Sequence, residues 1–537
     1  MYHTIRGLFA LVLILIAAAA HAGTAVSDAA VARSLRDHFT TTAAAAPATR
    51  VRQLTLARSV AEFYAARDYA PAWRNGHLVA QLFRELDNLR DDGLNPEDYH
   101  LSELHLAYAH MQGVDADADR IAAFDLLASS AYLRSLAHLF RGKVNPATLD
   151  PQWNVSLNDM AAADAITIVN TGIERGDIHP VYERARPQHP LYLRARNALA
   201  RLRVIAAHGG WQRLTTTAVL KPGMVDPNIG KLRERFLPDS ASGLQAFVYD
   251  DALVAKIRQF QREQSLGADG VIGPETRAAL NVPVRTRIDQ LRVNLERGRW
   301  LFHELQGDFV LVDIAGFRIH FFRDSSQIWQ SRVQVGKPYR QTPAFKSKIT
   351  YVTFNPTWTV PPTILKKDIL PKLKKGDLAF LTENHIRVLD GSGHQLDPKT
   401  IDWSNPGNLT LRQDAGADAA LGQVAIRFPN PYSIYLHDTP HRELFNSTRR
   451  AFSSGCIRVQ HPLELVALLF NDPEKWSDQA IAQFIAQGET RNVTLPKPVP
   501  ILLAYWTIDL FNDGDVGFRP DIYERDPAVL KALNAKL

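Results

Sequence analysis

Cys456 is the one cysteine among 537 residues, and its solitude restricts the chain more than any other feature of the sequence. Residues 1–22 read as an export leader. Arg6 supplies a positive start, Leu8 to Ala20 is a short apolar run, and Ala20-His21-Ala22 is a small-x-small cleavage site. Exported proteins ordinarily use cysteines in pairs, as disulfides. A lone one has no partner within its own chain, which leaves a buried inert thiol, a bridge to another chain, or a reactive nucleophile. The apolar run is short for a bilayer, and no later stretch approaches about 18 apolar residues in a row. The mature chain is therefore expected to be exported and soluble, with an uncleaved anchor as the alternative reading of the leader.

About 515 residues beyond such a leader correspond to roughly three domains. Apolar residues make up 46% and charged residues 22%, an ordinary globular balance. Lys and Arg outnumber Asp and Glu by 62 to 56. That modest basic excess suits an anionic partner, but no basic stripe is interleaved with stacking aromatics, so nucleic acid is not expected.

Taken in order, the patterns predict a multidomain α+β chain. Residues 23–50, rich in Ala and Thr, read as a flexible leader or one weak helix. Residues 51–218 read as an all-helical scaffold. Val60, Phe63 and Tyr64, then Leu78, Leu82, Phe83 and Leu86, recur at three- and four-residue spacing, as do apolar positions over Ile121–Phe140 and Leu191–Ala207. Asp91-Asp92-Gly93 and Asn95-Pro96 mark a stop and a turn. No paired carboxylates, metal-ligand spacing or glycine loop occur there, and His100, His105, His110 and His138 are scattered. Residues 219–283 predict three short helices, Pro227–Phe236 with Asp226 as cap, Asp251–Gln264 and Glu275–Leu280, with turns at Gly267, Gly270 and Gly273. Residues 284–305 predict a connecting helix.

From 306 to the end the pattern is mainly β, a meander of short runs from Phe309 that stops at Pro361-Pro362. An insertion at about 363–422, read as mostly helical or irregular, carries Lys366, Lys367, Lys372, Lys374 and Lys375, a solvated basic face by default. Strands resume at Val424–Phe428 and Tyr432–His437. Helices follow at Leu463–Phe470 and Asp478–Ala486, and a closing hairpin, Ile501–Phe518, turns at Asn512-Asp513-Gly514.

The candidate chemistry lies around the cysteine. A free thiol with a pKa near about 8.5 is only a few per cent thiolate at neutral pH, so a nucleophilic Cys needs a base. His437 ends the apolar strand Ile434-Tyr435-Leu436 and, by strand alternation, points to the opposite face from Leu436. His441 and His461 compete for the base role. The backbone N–H groups of Gly455 and Cys456 are candidate oxyanion donors, and Arg458 a candidate for fixing the loop or binding a substrate carboxylate. Cys456 with these histidines shows none of the short paired spacings of zinc sites.

Leu436-His437-Asp438-Thr439-Pro440, followed by Ala451-Phe452-Ser453-Ser454-Gly455-Cys456-Ile457-Arg458-Val459, resembles the signature of the L,D-transpeptidases (YkuD-type catalytic domain), in the YcbB-like branch. Asn355-Pro356-Thr357-Trp358-Thr359-Val360-Pro361-Pro362 and Tyr505-Trp506-Thr507 resemble the same branch. So do Phe63-Tyr64, Tyr69-Ala70-Pro71-Ala72-Trp73 and Gly93-Leu94-Asn95-Pro96-Glu97-Asp98-Tyr99 in the scaffold. The run Phe260-Gln261, Leu266, Asp269-Gly270, Ile272-Gly273, Thr276 and Leu280 is similar to the type 1 peptidoglycan-binding domain.

The resemblance implies Cys456 as nucleophile and His437 as base, with the imidazole oriented by a backbone carbonyl close to Asp438. Many members carry His before the Gly-Cys pair. Here Ser454 stands in that place, which leaves proton transfer to His437. Tyr435, Trp358 and Arg458 are the implied substrate contacts, and the 363–422 insertion corresponds to a cap over the site, a possible lid. The implied activity is a periplasmic acyl transfer without metal or organic cofactor. A donor stem tetrapeptide acylates Cys456 with loss of D-Ala, and the diaminopimelate amine of another stem resolves the thioester into a 3→3 crosslink. Carbapenems would acylate the same thiol, and other peptidoglycan synthases are conceivable partners. The alternatives are an L,D-carboxypeptidase, an enzyme joining or releasing a wall protein, and a non-catalytic wall-binding protein built on residues 219–282.

Overall fold

The computed structural model describes residues 26–43, 51–113, 115–149, 153–154, 161–240, 243–416, 418–510 and 516–536. The export leader and the 512–514 turn lie outside them. Within the stretch read as a flexible leader or one weak helix, residues 28–43 form helix α1 (Asp28–Ala43). It packs on α5 (Ala118–Arg141) through Val31 and Leu35, both fully buried. Those two apolar residues stand four apart on one helical face, a spacing that the alanine-rich composition obscures.

The helical region runs α2 (Val51–Ala65), α3 (Gly76–Asn88), α4 (Leu101–Met111), α5, α6 (Ala162–Glu174), α7 (His179–Ala185) and α8 (Pro190–Ala207). The Asp117 side chain caps α5 by accepting from Arg120 N. α5 places Phe124, Ala128, Tyr132 and Leu139 in the core. Asp125 is buried on the same helix, where its carboxylate accepts from Tyr64 Oη at 2.6 Å, Ala72 N at 2.9 Å and Trp73 N at 2.8 Å. One carboxylate thus fastens the loop after α2 to the central helix, and burial pushes its pKa up.

Three further helices, α9 (Pro227–Phe236), α10 (Asp251–Glu263) and α11 (Pro274–Leu280), close around Ile229, Leu253, Ile257, Phe260 and Leu280, a core of their own. The Asp226 side chain accepts from Asn228 N and Pro227 opens the helix, as the sequence predicts. The buried Gln261 amide ties the following turn, accepting from Gly270 N at 2.8 Å and donating to Val271 O at 3.0 Å.

Helix α12 (Val284–Leu301) is more than the connector its polar sequence suggests. Leu291, Val293, Leu295, Trp300 and Leu301 are buried, and so are Glu296, Arg297 and Arg299. It lies against α8 on one side and the β domain on the other.

The strands are β1 (Trp153–Asn154), β2 (Phe309–Asp313), β3 (Arg318–Arg323), β4 (Ser326–Gly336), β5 (Ala344–Phe354), β6 (Trp358–Thr359), β7 (Ile386–Leu389), β8 (Gln395–Leu396), β9 (Thr410–Gln413), β10 (Val424–Arg427), β11 (Leu436–His437), β12 (Ala451–Ser453), β13 (Ile457–Val459) and β14 (Arg491–Ala504). Pairing runs β5-β10-β11-β13-β4-β3-β2-β14, and β14 also pairs β5, so the circuit closes on itself. Both faces of β2 are buried because alternate residues serve two cores. Phe309 and Leu311 pack with the helical scaffold, while Val310 and Val312 point inside the β domain. Leu502 and Ala504 divide from Ile501 and Leu503 of β14 in the same way.

The insertion expected to be mostly helical or irregular carries an antiparallel sheet, β6-β9-β7-β8, beside short helices at Pro362–Ile364, Leu370–Leu373 and Ala379–Glu383. Trp358-Thr359, assigned from sequence to the main meander, belongs to this sheet instead. Asn355, at a positive φ of 45°, stands between the two sheets. The insertion has a separate core around Val360, Ile369, Leu381, Val388 and Leu411. The five lysines near its start are exposed.

Candidate active site

Strand register assembles the site. β11 pairs β13 in parallel, Leu436 with Ile457 and His437 with Arg458. β10 pairs β11 antiparallel, Ile426 with Leu436 and Ala425 with His437. Alternation then sends Ile426, Leu436, Ile457 and Val459 into the β core. It leaves Arg427, Tyr435, His437, Cys456 and Arg458 on the opposite face, where the capping insertion lies.

The cysteine loop is pinned at both ends by β4. β12 pairs β4 on entry, and β13 pairs it on exit, Arg458 opposite Gln334. Between them the chain reverses through Gly455 at φ 120°. A side chain there would be strained by the backbone and would press on Ile434 at 3.2 Å. Ser453 Oγ donates to Cys456 O at 2.6 Å and accepts from Gly455 N at 3.1 Å. Buried Thr342 donates to Gly455 O at 2.8 Å. The Gly455 N–H expected to serve an oxyanion is therefore already engaged, because a tight turn satisfies its own amides. Cys456 N is the donor candidate that remains.

Cys456 is half-buried, and its thiol points to Ser433 O at 3.7 Å. Burial pushes its pKa up, against the backbone of Tyr435 and the positive charge of Arg427, which lower it. His437 is buried, and its Nδ1 lies 2.5 Å from Asp438 O. A carbonyl only accepts, so Nδ1 carries the proton and Nε2 offers its lone pair. Burial and then the charge of Arg458 push the imidazole down to about 3. At neutral pH the thiol and the imidazole are thus both uncharged.

The competing histidines are held by carboxylates of their own. His441 faces Glu443 at 3.6 Å and His461 faces Glu464 at 3.7 Å, both exposed. Asp438 contributes its carbonyl to His437, while its buried carboxylate accepts from Gln423 N at 3.0 Å. Ser454 is exposed and accepts from Arg340 Nη1 at 2.9 Å. Arg340 also grips Asp368 of the capping insertion at 2.5 and 2.8 Å, which links the cysteine loop to the cap. Trp358 and Arg458 line a cavity of about 270 Å³ between cap and β domain, together with Asp368, Lys372, Phe380 and His441. Arg458 donates to Gln334 at 3.2 Å, and its Nε is buried with no hydrogen-bond partner among the described residues.

Three residues that hold this site went unread in the sequence. Thr342 and Arg340 lie on a loop more than a hundred residues upstream of the cysteine, where nothing local signals them. Arg427 did leave a signal, a single charge in the apolar run Val424-Ala425-Ile426-Arg427-Phe428. Its guanidinium stacks 3.9 Å above the Tyr435 ring.

A family model described as the L,D-transpeptidase catalytic domain matches residues 307–470, a span that includes every residue of this site. Residues 307–470 are thus similar to the catalytic domain of the L,D-transpeptidases. Two more models match the same chain, a "Scaffold domain" at 58–199 and a "Putative peptidoglycan binding domain" at 238–280. A curated protein of Haemophilus influenzae, named "Putative L,D-transpeptidase", is 36% identical over 242 residues. That alignment covers 44% of this chain, which thus spans about half (48%) of the relative's length.

Among solved structures, an L,D-transpeptidase of Mycobacterium smegmatis shares 14% identity over 37% of this chain and 58% of its own, with a TM-score of 0.18. The L,D-transpeptidase of Xylanimonas cellulosilytica shares 13% over 54% of this chain and 100% of its own, also at 0.18. Overlaps this slight do not bear on the site. The region similar to the L,D-transpeptidase catalytic domain is mainly β, preceded by a helical region and a region similar to a peptidoglycan-binding domain. No described helix is long and apolar enough to cross a membrane.

Proposed function

We propose that the protein is an exported L,D-transpeptidase that works on the cell wall and forms 3→3 crosslinks through a thioester on Cys456. The observation that carries this reading is the bond from His437 Nδ1 to the Asp438 carbonyl, on the strand beside Cys456, in a region similar to that family's catalytic domain.

In the first half-reaction, Sγ attacks the carbonyl of the L-centre of the third stem residue while its proton passes to His437 Nε2. The tetrahedral oxyanion takes a hydrogen bond from Cys456 N. Collapse breaks the C–N bond, and the imidazolium returns its proton to the departing D-Ala amine. In the second, the side-chain amine of another stem attacks the thioester, loses a proton to His437, and the thiol is regenerated. The cavity lined by Trp358 and Arg458 is the seat for the stem, with the unpaired Arg458 Nε available to a carboxylate. Residues 238–280 would hold the wall nearby.

Intact-protein mass spectrometry with a carbapenem is expected to show one adduct, mapped by digestion to Cys456. Cys456→Ala is expected to remove both the adduct and the 3→3 dimers made from purified tetrapeptide muropeptides, while leaving sedimentation with insoluble peptidoglycan unchanged. Tripeptides without dimers would favour the carboxypeptidase. An unmodified wild-type protein would end the thiol proposal.

A further inference from the structure

We propose that Arg427 is a positioning residue for acyl transfer at Cys456, acting through the Tyr435 ring on which it stacks. The inference rests on the acyl-transfer reading above, and its geometry stands apart from that reading. Continued one residue beyond the paired positions, the β10–β11 register places Arg427 across from Tyr435 on the site face. The guanidinium carbon lies 3.9 Å from the ring centroid, in range for a cation over a π face. The same ring lies 5.6 Å from that of His437. Tyr435 reaches the thiol through a side-chain hydrogen bond, and its carbonyl accepts from the N–H of Ile457, the residue after Cys456, at 3.1 Å.

The phenol can donate to a thiolate. A cation against its ring strengthens that donation, because electron density drawn toward the guanidinium leaves the O–H more polar. Arg427 also adds positive charge on the side of the sulfur away from the core, which opposes the penalty of holding a thiolate there. The groups that face Cys456 are Tyr435 and His437 from β11, Arg427 from β10 and Arg458 from β13. Arg340, beyond Ser454, is engaged by Asp368.

Burial, together with the charges of Arg458 and Arg427, keeps His437 neutral and able to accept a proton, and the same two charges favour the anion that the sulfur becomes. As Sγ attacks, the S–H bond breaks, its proton goes to His437 Nε2, and the tyrosine hydrogen bond shortens on the growing charge.

The test uses the full chain and two probes, iodoacetamide and a carbapenem, each followed by intact mass against pH. Arg427→Gln is expected to move the alkylation midpoint of Cys456 up by about one pH unit. It should therefore slow both reactions at pH 7 about tenfold, since one pKa unit is a tenfold change in thiolate. Arg427→Lys should recover part of the shift. Tyr435→Phe should shift the midpoint in the same direction, and the Gln/Phe double variant should shift it by less than the sum of the two single changes, because part of the Arg427 effect runs through the tyrosine hydrogen bond. An unchanged midpoint in both Arg427 variants would overturn the proposal, even if acylation slowed, because a packing role moves stability and not the pH profile. If wild-type Cys456 takes no carbapenem, the acyl-transfer reading falls, while the alkylation profiles still decide the role of Arg427.

Discussion

His437→Ala is expected to slow carbapenem acylation of Cys456 by two to four orders of magnitude, the range typical of losing a positioned general base. The expectation follows from the protonation states. Burial raises the thiol pKa, so the thiolate is scarce at neutral pH without help. Burial and Arg458 bring the imidazole down to about 3, so Nε2 stays unprotonated across the physiological range. The base is lost only when pH falls through that value. Wild-type acylation should therefore persist down to about pH 4, where an ordinary histidine, with a pKa near about 6.5, would already be mostly protonated. In the variant the residual rate should rise with pH, because only thiol ionised by solvent can react. Stopped-flow acylation between about pH 4 and 9 reads both features. A variant acylated at the wild-type rate would show that His437 is not the base.

The site was legible where chemistry and local sequence coincide. Cys456, His437 and the glycine after two serines stand in short runs, and strand alternation alone aims His437 away from Leu436. The partners that set the site's electrostatics come from other strands. Arg427 is brought opposite Tyr435 by an antiparallel register, and Thr342 and Arg340 by a loop that closes over Gly455. Register between distant strands is decided by the packed sheet, and one chain's pattern does not contain it. The engaged Gly455 amide shows the same limit. Two serines precede the glycine in sequence, and only the folded turn shows that the first spends its oxygen on that N–H. Helices α2, α3, α5 and α8 were visible from periodicity. The β7–β9 sheet of the cap was not, because its strands are four residues each and lie between turn-rich, lysine-rich segments.

The largest misreading of rank among the elements was α12, and it leads to the second large effect. Glu296→Ala is expected to destabilise the protein by about 3–5 kcal/mol, the cost of stranding a buried charge by removing its partner. Arg299 pairs with Glu296 inside the core, and neither side chain is exposed. Glu296 Oε1 also accepts from Val144 N at 2.6 Å, at the end of α5. Arg299 in turn donates to Asp92 O at 2.6 Å and Tyr192 Oη at 3.1 Å, and the Asp92 carboxylate takes Arg186 at 3.1 Å. The residue read from sequence as turn punctuation is thus a buried junction of the scaffold.

The same core holds Phe309, Leu311 and Ala344 of the region similar to the L,D-transpeptidase catalytic domain, so α12 joins two regions that the family models match separately. Loss of Glu296 should therefore loosen both together. In urea, the far-ultraviolet helical signal and the capacity of Cys456 to take a carbapenem should fall over one range, at a lower midpoint than in wild type. Glu296→Gln, which keeps an acceptor for Val144 N but loses the charge, should lie between the two. A catalytic domain that still acylates after the helical signal has gone would mean that the scaffold is a separate folding unit. It would also mean that the polar junction on α12 stabilises the scaffold alone.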